Sequence, residues 1–441
     1  MKLKTVIKNV LLGSVAGLAM VGTAAAADLP VKAKAAEYVK ICSTYGAGFY
    51  YIPGTDTCLK LGGYVTADTY YTDAEGKFRV EGPLVEGGRF TVKDNPDGET
   101  YFETRVGVQL DARTQTEYGT LRSYFEGRFD AGQSYGFTSQ SASSGQFIFS
   151  DSTYNAATLK YGYIQFAGFT FGKATSAFDF WAGDGWQGIQ PGSFYSDTTS
   201  NVIQYTADFG NGFSATVAIE DAGSREATYE NFTRLNGQQV PDIVANIAYE
   251  GSWGAFKISG AYHDIADYEY GFAPPAGVNY SQDNSGWAAL AGVRFDFAQT
   301  TTLYVEGAFA SGAPGYLGLA GTVPVVDAFG NAVDGWYVGG ALKHFWTPAV
   351  FTTVVGSYTK TENFNSHYNV VDADVSGFAK TDFTGYNVGV NIGWIPVKGL
   401  TLVLQYDYLD AEYSGHDRIY TTSLKSEADQ NRVMFSAKRA F

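Results

Sequence analysis

Along most of this chain the apolar positions recur at every second residue. Leu59, Leu61, Gly63, Val65 and Ala67 put small and apolar side chains on one face, with Lys60, Tyr64, Thr66 and Asp68 on the other. Phe102, Val106, Val108 and Leu110 alternate with Glu103, Arg105, Gln109 and Asp111, and Leu121, Phe125 and Phe129 with Arg122, Glu126, Arg128 and Asp130. A strand turns successive side chains to opposite faces, so a period of two predicts strands with one apolar and one charged face. The pattern places sixteen strands, at 58–71, 100–113, 119–130, 156–167, 169–174, 201–209, 212–220, 241–250, 253–263, 285–297, 300–309, 334–344, 349–359, 383–394, 399–409 and 430–441.

The connections alternate in length. Tight turns are expected at Glu117-Tyr118-Gly119, Ala167-Gly168, Gly210-Asn211-Gly212, Gly251-Ser252, Ala298-Gln299, Thr347-Pro348 and Pro396-Val397-Lys398, with long stretches rich in Gly, Ser, Asp and Asn between them. An even strand number, with short turns on one rim and long loops on the other, is the pattern of an all-β transmembrane antiparallel barrel. A soluble sandwich would keep both ends short and would not need apolar side chains facing outward. An open sheet would strand its edge N–H and C=O groups in hydrocarbon, so the first and last strands must pair. The closing segment, 432–441, alternates to its last residue: Val433, Phe435, Ala437 and Phe441 face outward, and Arg432, Ser436 and Lys438 inward. Phe441 is therefore expected to take part in barrel closure.

Composition agrees. Phe, Trp and Tyr make up 16% of the chain, enough for aromatic girdles at two membrane interfaces. Beyond the first residues no apolar run approaches the roughly 18 that a membrane helix needs, and mean hydropathy is −0.13. A helical membrane protein is excluded. Residues 1–27 run from Lys2, Lys4 and Lys8 through an apolar 10–21 to four alanines, the order of a secretory signal peptide. The expected organisation is a signal peptide at 1–27, an N-terminal segment at 28–57 and a barrel at 58–441, with a constriction loop at 174–200. Removing the three signal lysines takes the net charge from −15 to about −18, which argues against nucleic acid as a partner.

The two cysteines of the chain, Cys42 and Cys58, read as one disulfide in an exported protein. Without a nearby His they cannot complete a zinc site. Closing a loop of about 15 residues contributes about 3 kcal/mol in the chain-entropy model. The histidines, His263, His344, His367 and His416, show no H-x-H or HExxH spacing, and His263-Asp264 and His416-Asp417 are only sequence neighbours. Neither a catalytic residue, nor a metal ligand, nor a cofactor is expected. Asp372 and Asp374 could take Ca²⁺ or remain solvated loop acids.

The candidate chemistry is that of a charged hole. The fifth strand is unusually short, which leaves room for segment 174–200 to fold into the lumen with Asp179, Asp184 and Asp197. Lys60, Arg105, Arg113, Arg122 and Arg128 are expected on the opposite wall, and opposed charges across a constriction set up a transverse field. Alternatively the arginines pair with Glu103, Asp111, Glu126 and Asp130 and brace the wall. Phe180, Trp181 and Trp186 are expected to pack the loop against the barrel.

EYVKICSTYGAGFYYIPGTDTCLKLGGYV, FTFGKATSAFDFWAGDGW, ADFGNGFSATVAIED and the closing strand that ends in Phe together resemble the general porins of rhizobial and related alphaproteobacteria. The resemblance covers essentially the whole mature chain, and its cysteine-bearing stretch is the most specific part. It implies a sixteen-stranded porin with an infolded third loop, assembled as a homotrimer in the Gram-negative outer membrane. The implied function is passive diffusion of small hydrophilic solutes and ions. Outer-membrane lipid and lipopolysaccharide are implied partners, and so is the barrel assembly machinery, which would read the terminal Phe. Arg439 departs from the pattern, which has an apolar residue there. A substrate-selective channel for sugars or peptides on the same barrel is the alternative, and a surface adhesin or receptor a third reading.

Overall fold

The period-two pattern folds as sixteen barrel strands. They are β1 Cys58–Glu81, β2 Glu99–Thr116, β3 Gly119–Gln140, β4 Phe147–Phe166, β5 Phe169–Thr175, β6 Thr199–Gly210, β7 Phe213–Glu220 and β8 Asp242–Gly251. The rest are β9 Gly254–Asp264, β10 Ser285–Phe297, β11 Thr301–Ser311, β12 Asp334–Thr347, β13 Val350–Val370, β14 Val375–Val397, β15 Leu400–Asp417 and β16 Thr422–Ala440. The computed structural model describes residues 40–441 except 84, 86–87, 95–97, 141–146, 182–194, 227–231, 235–238, 267, 271–281, 371–374 and 418–420.

Each strand pairs antiparallel with its neighbour in sequence, and β16 returns to pair with β1, so the ring is closed. The last residue completes the seam: the Phe441 N–H donates to the Gly63 carbonyl at 3.0 Å, and the Gly63 N–H donates back at 3.2 Å. Gly63 has no side chain in the space that the Phe441 ring fills. Phe441 thus lies in the seam between β16 and β1 through a pair of backbone bonds. Arg439, the departure in the closing strand, lies at the short-turn rim and donates to the carbonyl of Lys398 at 3.1 Å.

Side-chain facing follows the sequence parity. Leu61 and Val65 of β1, Phe102 and Leu110 of β2, Ile258 of β9, Val388 and Ile392 of β14 and Val433 of β16 are large apolar residues left exposed, as a lipid-facing surface requires. Exposed Phe209, Trp253, Phe297, Trp346, Trp394 and Phe441 mark the short-turn rim. A second aromatic level holds Tyr262 beside Trp287 and Phe309 beside Trp336. Among the short turns, Asn211 and Gly212 both sit at positive φ, 53° and 87°, which a two-residue hairpin needs in order to match the strand twist.

Two features differ from the sequence expectation. Several strands run farther on the long-loop side, β13 to Val370, β14 from Val375 and β16 from Thr422. There Ala379 and Leu424 pack with Phe78 and Val80, and the alternation that marks a lipid-facing strand fades. In β4, the pairing steps from Glu126↔Tyr161 to Gly127↔Leu159, so Lys160 is an extra residue. A bulge switches the facing of the strand beyond it, which is why Leu159 and Ile164, of opposite parity, are both exposed outward.

Candidate functional site

The lumen is shaped by what covers its inner wall. The third long connection leaves β5 and its two described ends, 176–181 and 195–198, lie inside the barrel against β7 to β12. Backbone groups of the loop meet inward side chains of the wall. The Ala177 N–H donates to Glu220 of β7 at 2.7 Å, and the Ala177 carbonyl accepts from Asn246 of β8 at 2.6 Å. Lys257 of β9 donates to the Asp179 carbonyl at 2.7 Å, and the Trp181 N–H donates to Glu306 of β11 at 3.1 Å. The Ser196 N–H donates to the Tyr337 hydroxyl of β12 at 3.3 Å, and that hydroxyl donates to Glu306 at 2.8 Å. Rings fill the seam: Trp181 stacks on Tyr195 at 4.9 Å, and Phe178 meets Tyr316 edge-on at 4.7 Å.

Asp179 is the centre of this latch. Its carboxylate accepts from the Ser196 hydroxyl at 2.5 Å, the Thr198 N–H at 2.6 Å and Arg225 at 2.8 Å. The Asp179 and Arg225 side chains are 0% and 2% exposed. Asp179 therefore stands beneath the loop in a buried ion pair and not as an open charge in the lumen. Burial opposes the Arg225 charge, but Asp179 outweighs it and the guanidinium pKa is raised. Asp197 is half-buried on the returning limb of the loop. Asp184 and Trp186 lie outside the described residues, as do Asp372 and Asp374.

The basic residues Lys60, Arg105, Arg113, Arg122 and Arg128 lie on β1 to β3. In a closed ring of sixteen, strands eight apart face each other, so β2 and β3 lie across the lumen from β10 and β11. Arg105 donates to Asp130 at 2.5 Å and Arg113 to Asp111 at 2.7 Å. Arg122 reaches Asp111 at 3.0 Å and Gln165 at 2.9 Å, and Arg128 reaches Glu126 at 2.9 Å. Gln109 also donates to Glu126, at 2.9 Å. The bracing arrangement thus exists, but it is layered. Arg105, Arg113 and Arg122 are 34%, 28% and 25% exposed, whereas their partners Asp130 and Asp111 are 8% and 12%. At these three the carboxylates lie behind and the guanidinium groups meet the water, whereas Arg128, at 12%, is enclosed beside Glu126.

Tyrosines stiffen this wall. Arg122 lies 5.1 Å from the Tyr124 ring centre and 5.6 Å from that of Tyr163, and the two rings stack at 5.3 Å. At the short-turn rim the segment before β1 folds over the inner ends of β1 and β2. Cys42 and Cys58 are joined in a disulfide, and Phe49 lies 5.0 Å below Arg113 and 5.9 Å from the exposed Lys60.

Sequence reasoning did not find Glu220, Arg225, Asn246, Lys257, Glu306 and Tyr337 as loop anchors. A signal was present: inward positions that should be polar in a water-lined tube are apolar, namely Val244, Ala261, Ala288, Leu290, Ala308 and Ala310, and all are buried. Of the histidines, His263 is buried with its Nδ1 2.9 Å from Asp242, His344 lies 2.7 Å from Thr301, and His416 lies 3.2 Å from Ser423. Among the described residues no group of three or more His, Cys, Asp or Glu could hold a metal ion.

Comparison with known proteins places this architecture. Residues 28–435 match the family model described as the Porin subfamily. The chain is 29% identical over 334 residues to the porin Omp2b of Brucella suis biovar 1, covering 68% of this chain and 84% of that protein. It is 28% identical over 333 residues to Omp2b of Brucella abortus strain 2308, with the same coverage. The outer membrane channel DcaP of Acinetobacter baumannii shares the fold, with a TM-score of 0.53 over 89% of this chain and 99% of that one at 15% identity.

Proposed function

The chain belongs to the Porin subfamily, and on that premise we propose how its lumen selects what passes. The protein is an outer-membrane channel for passive diffusion of small solutes. The aqueous path runs along the inner faces of β1 to β4, because the facing wall from β7 to β12 is covered by the latched loop. Lys60, Arg105, Arg113, Arg122 and Arg128 line that path. Asp197 on the loop supplies the acidic side of the constriction, while Asp179 holds the loop down.

One observation carries this reading: the guanidinium groups of the open wall are more exposed than the carboxylates behind them. A passing solute meets the positive layer first, so hydrated ions and dipolar solutes are oriented and apolar ones are disfavoured. Among the described residues the inward rings do not form a continuous aromatic track. Tyr124 and Tyr163 are stacked under Arg122, and Tyr337 is buried beneath the loop. That supports general diffusion over a sugar-selective slide.

The biological setting completes the proposal. Residues 1–27 are removed on export, and the mature chain assembles as a homotrimer in the outer membrane of a Gram-negative cell. Lipopolysaccharide contacts its outer surface, and the assembly machinery engages its closing strand. Reversal potentials across a salt gradient test the lumen assignment. Replacing Arg105 and Arg122 by Gln should raise the cation-to-anion permeability ratio. An unchanged ratio at low salt would remove these residues from the path.

A further inference from the structure

The connection between β11 and β12, residues 312–333, is long enough to stand above the rim, yet most of it is buried. Tyr316, Leu317, Leu319 and Val323 are all at most 1% exposed. Their partners are inward positions of the barrel or the loops within it. A 3-10 turn at Pro314–Leu317 drops the chain onto the latch of the third loop. There the Tyr316 hydroxyl donates to Asp242 of β8 at 2.6 Å, and Arg225 lies 4.2 Å from the Tyr316 ring centre. Arg225 also donates to the Gly315 carbonyl at 3.2 Å. Gly315 packs so closely on the Arg225 backbone that a Cβ would overlap it, and Gly318, at φ +73°, does the same against the Tyr195 carbonyl.

The segment then crosses toward the far wall. The Tyr413 hydroxyl of β15 donates to the Thr322 carbonyl. Asp327 accepts from Asn365 of β13 at 2.5 Å, and the Ala328 N–H donates to the Asn365 carbonyl at 2.8 Å. From Asp242 on β8 to Tyr413 on β15 the contacts span eight of the sixteen strands, half of the ring. Between the Tyr195 and Tyr413 contacts, Gly318, Ala320 and Gly321 are exposed while Leu319 and Val323 point into the packed side.

We infer that this crossing segment, Gly318 to Thr322, is a second constriction edge that borders the aqueous path and limits passage by size. The inference rests on the channel reading given above. Apart from Leu319, which packs inward, the edge carries neither charge nor bulk, only glycine, alanine and threonine with their backbone polar groups. Charge discrimination is left to the arginine wall, and the crossing segment, supported from below by the third loop, sets the clearance. The two loops share the Arg225 contact, so the latch that seats one also seats the other.

The test places new groups on the exposed edge without touching the packed side. Ala320→Lys, Ala320→Asp and Ala320→Trp are purified, checked for heat-modifiable migration, and reconstituted in planar bilayers beside the parent. Ala320→Lys should shift the low-salt reversal potential toward anions and Ala320→Asp toward cations, and Ala320→Trp should lower single-channel conductance. Folded variants that keep the parent's reversal potential and conductance would overturn the inference, since the edge would then lie away from the path. A parent that forms no channel would instead count against the channel reading, so the two failures are told apart.

Discussion

Replacing Arg225 by Ala, or Asp179 by Asn, should free the third loop without unfolding the barrel. The pair is 2.8 Å apart and almost fully enclosed, with side chains 2% and 0% exposed. Removing one member of such a pair leaves an uncompensated buried charge or its donors, at a cost of about 3–5 kcal/mol. Even the lower figure changes the docked-to-undocked ratio of the loop roughly a hundredfold, at about 1.4 kcal/mol per factor of ten. The strand ladder does not pass through these side chains, so heat-modifiable migration should stay that of the parent. Single-channel records should show added conductance levels and open-channel noise. The combined replacement Asp179→Asn with Arg225→Met removes both charges together and should be quieter than either single variant, because losing a buried pair whole is often close to neutral. Salt separates this role from a field effect. A field in the pore fades as the screening length falls from about 8–10 Å near physiological salt to about 3 Å at 1 M, whereas an undocked loop stays noisy at both. Records from either single variant that match the parent at low and high salt would refute the latch.

Other outcomes follow from the same geometry. Deleting Phe441 removes the 3.0 and 3.2 Å seam bonds to Gly63 and should sharply reduce the heat-modifiable barrel recovered from membranes, more than loss of a similar mass from a long loop. Intact mass of the mature protein under non-reducing conditions should lack two hydrogens relative to the reduced chain, as Cys42–Cys58 requires, and two free thiols would contradict it. Placing Arg at Val388 on the outward face of β14 should destabilise the folded barrel by about 2–4 kcal/mol if that residue lies at the bilayer midplane, read from a denaturant titration in lipid.

The barrel itself was legible because lipid on one side and water on the other force a strict alternation, seen in Leu61 against Lys60 or Phe125 against Glu126. Alternation fades beyond the lipid-facing belt, where Ala379 and Leu424 pack with Phe78 and Val80, so a period-two reading stops short of the ends of β13, β14 and β16. The extra residue at Lys160 is invisible to a period-two reading, which assumes an unbroken pleat. Parity puts the arginines of β2 and β3 on the charged face of their strands. The role of Asp179 does not follow in that way, because a charge in an infolded loop can face either the hole or the wall beneath it, and only the position of Arg225, some 46 residues on, decides between them. The burial of residues 312–333 had one trace in the sequence, the run of inward Ala, Val and Leu from β8 to β11, whose meaning depends on knowing what covers it.

On the proposed function, water fills a lumen open along β1 to β4 and narrowed by latched loops on the other side. Single-channel conductance of the purified mature chain in planar bilayers, recorded with neutral solutes of increasing size on both sides, addresses it most directly. Small solutes should enter and lower the conductance in proportion to bulk conductivity, without saturation, and solutes above a sharp size limit should leave it unchanged. Saturable block by one solute class, or no unitary steps from folded protein, would contradict the account.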